Sequence, residues 1–144
     1  MKTLKEICDY HLKDEDLKPH DATTYCNIFV QRVCLDFGYQ SLRDKTANAI
    51  FNFCSESSDF FPVSMEDAEE YASKNLLCIA ALKGSIHGHC GITYPGIKVF
   101  SGKWNMEVPR VAHVGGFDKN GIPIIGVLGV NYAFRDKPSF FLLK

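Results

Sequence analysis

The pattern of apolar residues changes character at about residue 75, and this change constrains the fold more than any other feature of the chain. Before it, apolar positions recur at helical spacing. Leu4, Ile7, Cys8 and Leu12 predict a short amphipathic helix over 3–13, broken by Pro19, His20 and Asp21. Ile28, Phe29, Val33 and Phe37 line one face of a second helix, with Asp21, Thr23 or Thr24 as its cap and Gly38 as its stop. Ala47, Ile50, Phe51 and Cys54 form the stripe of a third helix over 43–54, followed by a loop over 55–62. Ser64 opens a fourth helix over about 65–74, with Glu66 and Asp67 in the first turn, where the helix dipole favours them.

After residue 75 the signals are those of strands. The apolar run at 76–82 has strand length, and a second strand over 89–94 ends at Pro95-Gly96. Residues 108–115 alternate, 117–123 form a turn centred on Asn120-Gly121, and 124–129, VNYAF and FFLL complete a strand-rich half. Helices followed by a mostly antiparallel sheet predict one α+β domain spanning residues 1–144. That length, with 46% hydrophobic and 23% charged residues, suits a single folded core.

The net charge is -1 and no block of like charge occurs, so nothing points to nucleic acid or a polybasic anchor. No apolar run reaches membrane-spanning length. The N-terminal stretch lacks the apolar segment of a secretory signal, so synthesis in the cytoplasm without a signal peptide is expected.

Six cysteines stand at 8, 26, 34, 54, 78 and 90, with no C-x-x-C pair. Cys8, Cys34, Cys54 and Cys78 lie in apolar-periodic stretches and read as core thiols. Cys26 is different: it falls in the first turn of the second helix. There, unpaired N–H groups and the dipole favour a thiolate and offer donors to an oxyanion. His87 and His89, two residues apart and flanked by glycines, stand at the head of a strand. They read as an imidazole presented at a sheet edge, as surface histidines, or as part of a metal set with Cys90 and His113. His113, on the next predicted strand, can orient His89; Asp118 and Asn120 in the following turn are the alternatives.

Taken together, TYCNIFVQRV (24–33), KTANAIFNF (45–53), MEDAEEYASKNLLCIAALKG (65–84), GHCGITYPG (88–96) and VPRVAHVGG (108–116) resemble the NlpC/P60 superfamily, in particular its CHAP-like and amidase-effector branches. The resemblance runs over about residues 20–142, and the cysteine precedes the histidine, unlike the permuted acyltransferase relatives. It implies a papain-like fold and a cysteine hydrolase. In it Cys26 is the nucleophile, His89 rather than His87 the base, and His113 the third polar residue. The Cys26 N–H, with Tyr25 as a second donor, would hold the oxyanion. Tyr94 and Trp104 are candidates for lining the cleft or for packing. Cys90 and His113 depart from the small aliphatic residue and the Gln usual at their positions.

The substrate so implied is an amide bond of a peptidoglycan stem peptide, cut without metal or organic cofactor. The site of action is then the cell wall, reached after lysis or by specialised export, with export machinery or an immunity protein as partners. The same fold also serves thiol hydrolases or transferases acting on proteins, peptides or lipid amides, and non-catalytic binding or metal-holding modules.

Overall fold

The computed structural model describes residues 2–19 and 25–144. Among these, five α-helices and one six-stranded antiparallel sheet form an α+β fold. The helices are α1 (Leu4–His11), α2 (Cys26–Asp36), α3 (Ala47–Glu56), α4 (Met65–Ser73) and α5 (Val130–Ala133). The strands are β1 (Phe60–Val63), β2 (Cys78–Leu82), β3 (His89–Ser101), β4 (Met106–Phe117), β5 (Pro123–Gly129) and β6 (Ser139–Leu143). Their order across the sheet is β1-β6-β2-β3-β4-β5.

Local chemistry sets the helix starts. The Thr3 hydroxyl accepts from the Glu6 N–H while the Glu6 carboxylate accepts from the Thr3 N–H, a full capping box for α1. Thr46 caps α3 and Ser64 caps α4 in the same way, each accepting from the N–H three residues on. Gly38, at φ +79°, follows α2 in the left-handed conformation that ends helices. For α2, the residue before the helix is Tyr25, whose side chain makes no capping bond. The expected caps Asp21, Thr23 and Thr24, and the break at His20 and Asp21, lie outside the described residues.

Alternation along the strands builds two cores. On one face Ile79, Ala81, Cys90, Ile92, Ala112 and Val114 pack against α1, α2 and α3. On the other, Cys78, Ala80, Val108, Val111 and Phe140 meet Ala68 of α4 and Val130 of α5, with Phe134 just beyond it. The α1 helix is pinned as well as packed. Tyr94 Oη donates to Asp9 at 2.7 Å, and the two ring nitrogens of His11 face Asp14 and Asp36 at 2.9 and 2.8 Å.

Four expectations need correction. The third helix starts at Ala47, not 43, because Asp44 takes φ +60° and Thr46 supplies the cap. The loop over 55–62 contains the start of β1, an edge strand paired only with β6, where Pro62 is tolerated because its missing N–H faces no second neighbour. The strand expected to end at Pro95-Gly96 runs on to Ser101 through a register shift between Tyr94 and Val99. Pro109 of β4 falls opposite that interruption, between the paired residues Val108 and Arg110, so no ladder bond is lost to it. Finally, Val130–Ala133 is a helix rather than a strand; Val130 and Phe134, four apart, bury the same side.

Candidate active site

Cys26 is the first residue of α2, and the earliest bond of that helix runs from the Phe29 N–H to the Tyr25 carbonyl at 3.0 Å. The N–H groups of Cys26, Asn27 and Ile28 therefore lack intrahelical acceptors. Two side-chain amides hold this end of the helix. Asn27 Nδ2 and Gln31 Nε2 both donate to the Lys45 carbonyl, at 3.0 and 2.8 Å. Cys26 itself is 6% exposed and packs in the layer between the helices and the sheet.

His89 opens β3 and stands at the end of the strand. Its Nε2 lies 3.0 Å from Nδ1 of His113 on β4, with the rings edge to face. Phe134 packs against the His89 ring, at 4.8 Å between centroids. These contacts hold the ring by its Nε2 edge and leave Nδ1 as the other ring nitrogen. Space for His113 comes from glycine. A Cβ at Gly91 would lie 3.2 Å from His113 Cβ and 2.9 Å from the Ala112 carbonyl, and one at Gly115 would touch the imidazole. His113 is 1% exposed, and burial, reinforced by the His89 charge, pushes its pKa down to about 3. It stays neutral at pH 7.

The loop that delivers His89 is clamped to α3. Asn48 Nδ2 donates to the Gly84 carbonyl and Asn48 Oδ1 accepts from the Gly84 N–H, both at 3.0 Å. The amide thus imitates a strand partner for one residue. A cleft of about 290 Å³ opens beside this loop, with His87, His89, Phe134, Lys83 and Arg135 among its walls.

Around Cys26 the electrostatics are one-sided. The Cys90 side chain is the largest influence holding the Cys26 thiol well below the ordinary thiol range. It outweighs the burial that opposes ionisation, and the His89 imidazole and the Cys90 backbone N–H act in the same direction. Cys90, fully buried, is pushed well above that range by the same neighbour. The other four thiols behave as expected of core residues. All are buried, and burial raises Cys8, Cys54 and Cys78 to about 12 and Cys34 upward too.

His89 and His113 are therefore in hydrogen-bond contact, Cys26 lies near enough for the His89 imidazole to favour its anion, and His87 is not part of the group. It is exposed on the cleft wall. Asp118 serves its own turn, accepting from the N–H groups of Asn120 and Ile122 at 2.8 and 3.0 Å, which leaves neither Asp118 nor Asn120 on His89. Tyr94 is tied to Asp9 in the core, and Trp104 sits at the β3–β4 turn, at the opposite end of the hairpin from His89. Neither lines the cleft. Among the described residues no group of three or more His, Cys, Asp or Glu side chains is arranged to hold a metal ion. None of their helices is long and apolar enough to cross a membrane.

Sequence reasoning missed Phe134, Asn48 and the packing role of Gly91. The contact between Cys26 and Cys90 had one visible trace: a thiol directly after the histidine, where a small aliphatic residue is usual. No protein-family model matches this chain. No curated protein matches it either.

Proposed function

We propose that this chain is a thiol hydrolase of the NlpC/P60, papain-like type that cuts an amide bond in a peptidoglycan stem peptide. The observation that carries the reading is the grouping at the start of α2. A thiol biased toward its anion meets an imidazole whose far nitrogen is held at 3.0 Å by a neutral histidine. The substrate class rests on the family resemblance of the motifs.

In this mechanism the Cys26 thiolate attacks the amide carbonyl, and the Cys26 N–H donates to the oxyanion. His89 gives its Nδ1 proton to the leaving amine, then takes a proton from the water that opens the thioester. Throughout, the Nε2–H of His89 donates to His113 Nδ1. That puts the His113 proton on Nε2, which is buried without a protein partner, at a cost of about 1–3 kcal/mol. Unmet polar groups of this kind mark functional sites in otherwise satisfied interiors. The partners that fit this activity are export machinery and, in a producing cell, an immunity protein.

Digestion of defined muropeptides, read by mass spectrometry, tests the proposal. The wild-type chain is expected to add one water across a single amide bond. Cys26→Ala and His89→Ala should abolish that cleavage while His87→Ala leaves most of it. Equal cleavage by Cys26→Ala, or none by the wild type, overturns the assignment.

A further inference from the structure

Hydrolysis gives Cys90 no chemical step, yet its thiol is the strongest single influence on Cys26. Residues 90, 92 and 94 share the face of β3 turned toward the helices, and Cys26, Cys90, Ile92 and Tyr94 all belong to one buried cluster. The two sulfurs therefore enter the same layer, one from the first residue of α2 and one from the second residue of β3. Both are reduced in this structure. Their exposures differ in a useful way: Cys26 retains 6% and Cys90 has none.

We propose that Cys26 and Cys90 are a peroxide-responsive dithiol pair, with Cys26 the thiol that reacts and Cys90 the thiol that resolves. The Cys26 thiolate attacks one oxygen of a hydroperoxide. An S–O bond forms, the O–O bond breaks, and the departing oxyanion takes up a proton. Cys26 is then a sulfenic acid, oxidised by two electrons. The Cys90 sulfur attacks it, forming the S–S bond as the S–O bond breaks. The hydroxide that leaves combines with the Cys90 proton as water. A small dithiol reverses the reaction through a mixed disulfide and is itself oxidised to a cyclic disulfide. The pair thus shelters the Cys26 sulfur from irreversible sulfinic acid. The proposal uses the nucleophile of the hydrolase reading but does not depend on any amide being cut.

The test is a hydrogen peroxide titration of the 144-residue chain without added thiol, quenched with iodoacetamide and mapped as non-reduced peptides. The expected product is a linked Cys26–Cys90 peptide lighter by two hydrogens, with loss of labelling at Cys26 that dithiothreitol restores. In Cys90→Ser, checked for folding by circular dichroism, Cys26 should proceed to sulfinic acid and dithiothreitol should not restore it. Sulfinic acid at Cys26 in the wild type without the linked peptide overturns the proposal. So does a disulfide from Cys26 to Cys34 or Cys54, or equal recovery in a folded Cys90→Ser. The wild-type map decides by itself if that variant does not fold.

Discussion

Six thiols in one small protein compete for any alkylating reagent, and their surroundings rank them. At neutral pH a thiol raised to about 12, as at Cys8, Cys54 and Cys78, is ionised in only ~1 molecule in 10⁵. Cys26 is shifted the other way. Iodoacetamide at pH 7 is therefore expected to modify Cys26 first, and Cys90→Ala, which removes the first-ranked influence favouring the anion, to slow that reaction. Uniform labelling of all six would contradict this ranking. His113 makes a second statement measurable without any substrate. Its pKa is about 3 folded and near 6.5 unfolded, so the unfolded chain binds more protons between these values. Its contribution to stability is complete above pH 6.5 and is lost as pH falls toward 3, at up to ~1.4 kcal/mol per pH unit. Urea unfolding of His113→Gln between pH 6.5 and 5 should show a shallower loss than wild type. An unchanged slope would mean that the imidazole is not buried neutral.

The strand β3 carries the site because its residues alternate between two duties. His89 and Gly91 face His113, while Cys90 and Ile92 face the helices. Gly91 is the tightest of these positions. Gly91→Ala brings a methyl group within 2.9 Å of the Ala112 carbonyl and against His113, so the two strands must part. A loss of about 1–3 kcal/mol by chemical denaturation is expected, the usual cost of overpacking, together with weakened activity. Wild-type stability in that variant would show that the pair has room to spare. The helices α1 and α4 and the body of α3 were legible from apolar spacing, with the Ser64 cap marking the start of α4, whereas the Thr46 cap that sets the start of α3 went unread. Two elements misled for physical reasons. Val130–Phe134 is too short for alternation and helical spacing to differ clearly, and Phe60–Val63 carries Pro62, which marks a loop unless the strand is at an edge.

The sheet is closed by its last strand in sequence. β1 and β2 have no bonds to each other; both pair with β6, whose Phe140 and Phe141 are buried on opposite faces. A chain shortened to end at Lys137 should lose cooperative unfolding, seen as a broad thermal transition by circular dichroism. A sharp transition in that truncation would show the remaining sheet to be self-sufficient. The long-range placement of β6 between β1 and β2 was not readable from the sequence, because local patterning reports what a segment forms and not which neighbour it joins. The candidates Cys26, His89 and His113 could be singled out for the opposite reason. They carry rare chemistry at places that local rules define: a helix start, a strand start and the facing strand.

The order of the strands also governs how the molecule comes into being on the ribosome. Residues 60–63 and the outer edge of 78–82 lack their shared neighbour until residues 139–143 have been made. Between the making of Leu82 and that of Ser139 the nascent chain therefore carries two strand edges that await β6, and a chaperone that shields such edges would find its task concentrated in that interval.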